Sequence, residues 1–259
     1  IIATAGASDL APAWISQLAP AGRLVVPLSI RGAQQCVAFA RADSHLRSVA
    51  VCEAGFMPLT GVMANADIRL PVPGHPGVHV IAAPRTPVDA GLVAAGLDTR
   101  GPAVAVGITA SELEAFGSLR RWLAFRGPAP ATLMYSGPAD RAAASGVPQL
   151  VEFSVGGNTQ RLSPCLLGEA GFAVVDLISG QATASGPSSG YPRELAVRAC
   201  GAAEHETRQL TELLIAWDAA HRPGADRLTI DAYPSGIAVP DTRGSMHRAE
   251  HMTFIVSSP

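Results

Sequence analysis

The sequence predicts an α/β chain that combines the end of a doubly wound sheet with an appended α+β unit. Strand and helix patterns alternate near the start of the chain, and further strand patterns joined by short turns follow them. A stretch rich in proline and glycine, Leu70 to Val80, is then the best candidate for a linker. We therefore predict two units, residues 1–62 and residues 63–259.

The first unit is predicted from alternating apolar runs and turn residues. Asp9 is the predicted N-cap of its helix, and the Ala21-Gly22 pair is the predicted stop. In chain order, we predict a strand at Ile1–Ala5, a helix at Pro12–Leu18, and strands at Arg23–Ile30, Gln35–Ala42 and Leu46–Phe56.

The second unit is predicted to mix helices and strands. Ser111 and Glu114 have the spacing of a capping box at the start of a helix that runs to Phe125. The longest helix is predicted from about Ala202 to His221, with Arg222-Pro223-Gly224 ending it. Short strands are predicted at Ala103–Val106, Ala131–Tyr135, Leu150–Val155, Phe172–Leu177, Leu228–Ile230 and Met252–Val256.

Composition indicates a folded chain and argues against several classes of function. Of the 259 residues, 48% are hydrophobic and 15% are charged, against roughly 25% charged in average globular proteins. The net charge of −2 and the lack of a basic stripe argue against nucleic-acid binding. All 19 basic residues are arginine, which excludes a Schiff-base, P-loop or kinase-type lysine within these residues.

The four cysteines occur singly, at Cys36, Cys52, Cys165 and Cys200, without the paired spacing of a zinc site. This usage favours a reducing, cytoplasmic environment. The sequence contains neither a membrane-span pattern nor a signal-peptide pattern, so we expect no membrane partner. Because the apolar run Ile1–Ala5 comes first, we also expect that the natural protein has residues before Ile1.

Two short motifs have possible chemical meaning. Gly186-Pro187-Ser188-Ser189-Gly190 matches the G-x-S-x-G pattern of a hydrolase nucleophile, but its small flanking residues are typical of a loop. His247-Arg248-Ala249-Glu250-His251 matches H-x-x-E-H, but a strand pattern follows it, so we predict a strand lead-in and no metal site. The sequence contains no G-x-G-x-x-G turn for a dinucleotide or adenosyl cofactor.

Three segments in the first unit resemble the second half of the protein-L-isoaspartate O-methyltransferase family, in the family's order. Ile1–Ala7 resembles the fourth strand and the loop after it, and Gln17–Pro27 resembles the helix, turn and fifth strand. Gly55-Phe56-Met57-Pro58-Leu59-Thr60-Gly61 is similar to the family's closing F-V-P-L-T motif. Ala21 and Met57 are mild departures from the family pattern.

Three later segments are similar to the C-terminal extension of bacterial relatives that act in ribosomal-peptide maturation. They are Ser118–Ala124, Glu194–Gly201 and Ala216–Arg222. By this resemblance, residues 63–259 would form a substrate or partner module, while residues 1–62 would form the second half of a Rossmann-like methyltransferase sheet.

The resemblance implies an S-adenosylmethionine-dependent O-methyltransferase that acts on isoaspartyl or aspartyl carboxylates of a protein or modified peptide. By this resemblance, Thr4, Ala5, Gly6 and Ala7 would lie at the cofactor, where the carboxyl end of a parallel strand opens onto the ligand crevice. Pro58, Leu59 and Thr60 would lie beside the peptide substrate. No catalytic side chain is predicted.

In the family, the main cofactor loop lies before the segment that resembles this chain. We therefore expect that loop upstream of Ile1, and we expect the chain alone to be inactive and to bind the cofactor weakly or not at all. Two alternatives remain open: a serine hydrolase that uses Ser188, and a non-catalytic peptide-binding module.

Overall fold

A computed structural model describes residues 1–61, 67–84, 86–178, 192–240 and 244–258. Within these ranges the α-helices are α1 Pro12–Gln17, α2 Ala90–Asp98, α3 Glu112–Glu114, α4 Arg120–Arg126, α5 Ala139–Ala142 and α6 Glu204–Ala219. The strands are β1 Leu24–Ile30, β2 Ala33–Ala42, β3 His45–Glu53, β4 Ile68–Pro71, β5 Val78–Ala82, β6 Arg100–Ala110, β7 Pro130–Gly137, β8 Val151–Val155, β9 Asn158–Leu167, β10 Gly171–Leu177, β11 Arg193–Gly201, β12 Thr229–Pro234, β13 Ser245–Arg248 and β14 Met252–Ser257.

The chain divides into two compact units, with a first boundary close to the predicted one and a second boundary that was not predicted. Unit 1 consists of residues 1–66 and 223–259, and unit 2 consists of residues 67–222. The end of the chain returns to unit 1 because β12 pairs with β3, through Asp231 opposite Arg47 and Ala232 opposite Leu46. Unit 2 is therefore an insertion between two segments of unit 1, whereas the prediction was that residues 63–259 form one additional unit.

The stretch Leu70 to Val80, which we predicted as a linker, lies inside unit 2 as part of a hairpin. β4 pairs with β5 in antiparallel register. Gly74 and Gly77 have φ values of 75° and 79°, a region that favours glycine, so they allow the chain to reverse direction between these strands. The glycines and prolines therefore indicate a tight turn and not a boundary between units.

Unit 1 is built on a six-stranded sheet in the order β1-β2-β3-β12-β14-β13. Its neighbouring strands are antiparallel. The two-residue turns Arg31-Gly32 and Asp43-Ser44 contain positive φ values at Arg31, Gly32 and Asp43, as tight hairpins require. The combination of helices and strands is as predicted, but the chain is richer in strands than expected, and the expected doubly wound arrangement is not confirmed by these antiparallel pairings.

Strand β2 shows how one face of this sheet forms a core. Gln35, Val37 and Phe39 are buried, and the residues between them are half-buried. The next residue on that face, Arg41, donates hydrogen bonds to the carbonyls of Ile15 (2.5 Å) and Leu18 (2.9 Å). Since these carbonyls lie in and just after α1, Arg41 fixes the C-terminal end of α1 over this face.

Unit 2 is built on an eight-stranded sheet in the order β4-β5-β7-β9-β10-β11-β6, with β8 paired to β9. Strand β10 is buried on both faces. Ala173 and Val175 belong to a core with Leu214 of α6, whereas Phe172 belongs to a second core with Leu97 of α2. The two helices therefore cover opposite faces of the sheet.

The predicted helix over 111–125 is present in three parts. The capping box of Ser111 and Glu114 is confirmed at the start of α3. Residues Ala115–Leu119 then form a π-helical turn before α4. The prediction of a long helix ending near residue 221 is also confirmed by α6. In the part of the chain that the structure describes, none of the helices is both long enough and apolar enough to span a membrane.

Candidate functional site

The first residues of unit 1 run parallel to β1. Ile2 and Ala7 form parallel bridges with Val25 and Leu28. The N–H of Ala3 donates to the carbonyl of Val25 (2.9 Å), and the N–H of Ala7 donates to that of Pro27 (2.8 Å). The apolar start of the chain is therefore extended and paired with β1, as its sequence predicted. The pairing consists of isolated bridges and not of a continuous strand ladder.

The structure brings the two predicted site segments together. Gly6 forms a parallel bridge with Pro58. The N–H of Gly6 donates to the carbonyl of Met57 (2.8 Å), and the carbonyl of Gly6 accepts from the N–H of Leu59 (2.8 Å). The segment 57–59 thus lies on the side of the N-terminal segment opposite β1. We call residues 4–7 and 57–60 together the bridge site.

A residue that sequence analysis did not single out supports this arrangement. The Oε1 atom of Gln34 accepts a hydrogen bond from the N–H of Phe56 (2.5 Å), and its Nε2 atom donates to the hydroxyl of Ser29 (3.2 Å). A Cβ at Gly6 would lie only 2.2 Å from Nε2 of Gln34. The sequence gives no signal for this role of a glutamine that follows a hairpin turn. The role depends on the chain after β3 bringing Phe56 next to Gln34.

Exposure divides the predicted cofactor residues into two pairs. Thr4 is exposed and Ala5 is half-buried, but Gly6 and Ala7 are buried. The backbone N–H and carbonyl groups of Gly6 and Ala7 already bond within unit 1. Of these four residues, only Thr4 and Ala5 have accessible surface that a bound molecule could contact.

The predicted substrate residues are more accessible. Pro58 and Thr60 are exposed, and Leu59 is half-buried. Met57 is 82% exposed, and Ile2, two residues before the bridge site, is 74% exposed, so the accessible surface at and next to the site includes apolar side chains. Such a surface fits contacts with another chain or an apolar ligand better than contacts with a highly charged one.

Asp9 has a different role from the predicted helix cap. Its carboxylate accepts hydrogen bonds from the N–H of Leu10 (2.8 Å) and the N–H of His251 (2.6 Å), whereas Ala11 occupies the N-cap position without a side-chain bond. Burial raises the pKa of Asp9, although these hydrogen bonds oppose the effect. Asp9 therefore joins the N-terminal segment to the turn between β13 and β14.

The other chemical motifs do not form sites in the described residues. His247 lies on β13, which forms a hairpin with β14 and places His247 opposite Phe254, so residues 245–248 are a strand of their own where a lead-in was predicted. Burial and the nearby Arg31 lower the pKa of His247 to about 4. The described part of the chain contains no group of three potential metal ligands. Ser188 and its G-x-S-x-G motif lie outside the described residues.

A comparison with protein families shows what this region is similar to. Residues 1–64 match the model of the protein-L-isoaspartate(D-aspartate) O-methyltransferase family. The resemblance predicted from the three segments of the first unit is therefore confirmed, and the bridge site lies wholly within the matched residues. We refer to residues 1–64 as the family-matched segment.

The comparisons beyond this segment are weaker. The chain is 12% identical to a solved structure described as a protein-L-isoaspartate O-methyltransferase, with a TM-score of 0.25. That alignment covers 88% of this chain and 49% of the other, so the chain spans about half the length of that structure. No curated protein matches the chain.

Proposed function

We propose that this chain is part of an S-adenosylmethionine-dependent O-methyltransferase whose substrates are isoaspartyl or aspartyl carboxylates of a protein or modified peptide. One observation carries the proposal: two motifs of the family-matched segment, far apart in sequence, meet where Gly6 pairs with Pro58. In the family these motifs border the cofactor and the peptide. We also propose that the parallel pairing of residues 2–7 with β1 corresponds to part of a Rossmann-like sheet.

The chemistry makes modest demands on the protein side chains. A carboxyl group with a pKa of about 4 is ionised at neutral pH, so its attack on a methyl group requires no general base. S-adenosylmethionine, when bound, would supply that methyl group from a sulfonium. Holding two reactants in the attack geometry can contribute about 7–11 kcal/mol. Exposed Pro58 and Thr60 would help to hold the peptide, and their segment is fixed by backbone bonds to Gly6.

The described residues fit only one edge of a cofactor site. Gly6 and Ala7 use their backbone donors within unit 1, which leaves Thr4 and Ala5 for contact. We therefore propose that the principal cofactor loop precedes Ile1. On this basis, the isolated chain would bind S-adenosylmethionine weakly or not at all and would be inactive alone.

We further propose that unit 2 is a substrate or partner module. The three segments that are similar to the extension of peptide-maturation relatives lie within residues 118–222. Residues 223–259 complete the sheet of unit 1 and are therefore not assigned this role.

The first test compares the isolated chain with a protein extended upstream of Ile1. Calorimetry should detect cofactor binding only for the extended protein, and that protein should transfer methyl groups to an isoaspartyl peptide faster than to its aspartyl counterpart. Micromolar binding to the isolated, monodisperse chain would contradict the proposed position of the cofactor loop. Absence of methyl transfer by a folded, cofactor-bound extended protein would contradict the proposed reaction.

Variants of the extended protein test the two segments separately. Thr60→Ala should raise KM for the peptide, and Thr4→Val should raise KM for the cofactor. Thr229→Ala, at an exposed position of β12, is the matched control and should change neither constant. Labelling by a fluorophosphonate that is lost in Ser188→Ala would instead support the hydrolase alternative.

A further inference from the structure

Two cysteines face each other on neighbouring strands of unit 1. Cys36 of β2 and Cys52 of β3 are direct partners in the strand register. Cys36 is half-buried, and Cys52 is exposed. As register partners, the two residues place their side chains side by side on the same face of the sheet. The structure thus contains a pair of adjacent thiols that solvent molecules can reach through Cys52.

The other two cysteines have the opposite character. Cys165 and Cys200 are buried in the sheet of unit 2. Burial raises the pKa of both thiols, that of Cys200 to about 12, so they remain protonated near neutral pH. They are therefore internal controls for the reactivity of the first pair.

We propose that Cys36 and Cys52 form a dithiol modification site that reacts with low-molecular-weight disulfides, of which oxidised glutathione is the simplest probe. The thiolate of Cys52 attacks one sulfur of the disulfide, which forms a mixed disulfide and releases one thiolate. Cys36 then loses its proton to solvent, and its sulfur attacks the Sγ atom of Cys52. This step forms the Cys36–Cys52 bond, breaks the mixed disulfide and releases the second thiolate, which takes up a proton from solvent.

The order of these two steps follows from the surroundings of each thiol. Cys52 reacts first because it is exposed. Partial burial raises the pKa of Cys36, and the adjacent Cys52 thiol adds to this effect. The second step should therefore accelerate as pH increases, since a larger fraction of Cys36 is then thiolate.

The strand geometry requires only a small movement for the bond to close. Directly opposed residues of antiparallel strands have Cβ atoms about 4.5–5.5 Å apart. A disulfide requires a separation of about 3.5–4.5 Å. Because the strands must approach each other slightly, the bond should be reduced more readily than an unstrained structural disulfide.

The experiment treats the reduced, full 259-residue chain with oxidised glutathione and maps disulfides by mass spectrometry. The expected product contains a Cys36–Cys52 bond, while Cys165 and Cys200 become available to an alkylating reagent only after unfolding. Cys36→Ser should stop at a mixed disulfide on Cys52. Cys52→Ser should react at least about tenfold more slowly, because its remaining thiol is half-buried.

Each variant is first compared with the unmodified chain by circular dichroism, so that a folding defect is recognised. A folded wild-type chain that keeps Cys36 and Cys52 reduced would overturn the proposal. So would a product that contains only bonds between chains, or one in which the native protein reacts first at Cys165 or Cys200.

Discussion

Gln34 and Gln35 are neighbours on β2 with opposite surroundings. The side-chain amide of Gln34 bonds to Phe56 and Ser29. Gln35 is fully buried, and neither its Oε1 nor its Nε2 atom has a hydrogen-bond partner among the described residues. A buried amide without partners destabilises a fold by about 1–3 kcal/mol.

Substitution at these two positions should therefore change stability in opposite directions. Gln35→Met keeps the side-chain length and removes the polar group, so the free energy of unfolding should rise by about 1 kcal/mol. Gln34→Met removes the acceptor for Phe56 and should lower it by about 1 kcal/mol. Urea unfolding measures both values, and a loss of stability in Gln35→Met would mean that its amide has a partner in solution.

Gly6 has a steric role in the bridge site. A Cβ at this position would lie 2.2 Å from Nε2 of Gln34, so Gly6→Ala should displace that side chain and break its bond to Phe56. We expect a loss of about 1 kcal/mol in the free energy of unfolding. Gly55→Ala is the control, because nothing lies within 4 Å of its added methyl group. Equal losses in the two variants would contradict this account.

At the scale of elements, α3 and α6 are joined by a charged contact. Glu114 accepts hydrogen bonds from the N–H of Ser111 (2.8 Å) and from Arg222 (2.8 Å), which follows the end of α6. Partial burial would raise the pKa of Glu114, but these hydrogen bonds outweigh it and hold the pKa below the ordinary value of 4.5. The contact thus stabilises the fold above pH 4.5, and this stabilisation is lost as pH falls through the lowered pKa of the folded state.

Glu114→Gln should remove this pH-dependent part of the stability. We expect a loss of about 1 kcal/mol at neutral pH, and a smaller difference from wild type in acid, where Glu114 itself is protonated. Urea unfolding from neutral pH down to the acid range measures both effects. Glu212→Gln, at an exposed position of α6, should leave the pH profile unchanged. A difference from wild type that stays constant with pH would argue against a charged contact.

Helix α6 stabilises unit 2 through one face. Leu214 is fully buried in the core against the sheet, whereas the next residue, Ile215, is 52% exposed. Leu214→Ala should lower the free energy of unfolding by about 2–5 kcal/mol, because it leaves a cavity in a packed interior. Ile215→Ala should lower the free energy of unfolding by less than about 1 kcal/mol. Thermal and urea unfolding distinguish these outcomes, and similar losses would show that α6 does not pack by this face.

The sequence predicts such elements well where a local pattern defines them. The capping box of Ser111 and the apolar spacing of α6 involve residues within a few turns of one another, and both are confirmed. The helix from 111 to 125 is interrupted by a π-helical turn that no local pattern indicates. Asp9 resembled a helix cap, but its carboxylate bonds to His251, a residue that is distant in sequence.

At the scale of the whole molecule, pairing between distant segments could not be predicted. The proline- and glycine-rich stretch is a turn, and the last strands pair with β3, so the two units differ from those predicted by composition. Both segments of the bridge site were predicted from their motifs. Their contact and the role of Gln34 were not, because both depend on the path of the chain after β3, which brings residues 56–59 next to Gly6 and Gln34. Register between remote strands follows from packing that a local pattern does not specify.

The division of unit 1 into two chain segments determines which unit a growing polypeptide can complete first. During synthesis, residues 67–222 leave the ribosome before the residues of β12, β13 and β14. Unit 2 can therefore bury its core while the sheet of unit 1 still lacks its strands beyond β3. In that interval the free edge of β3 is open to pairing with other chains. The nascent protein is therefore most vulnerable to misassembly at β3, even though that strand lies near the start of the chain.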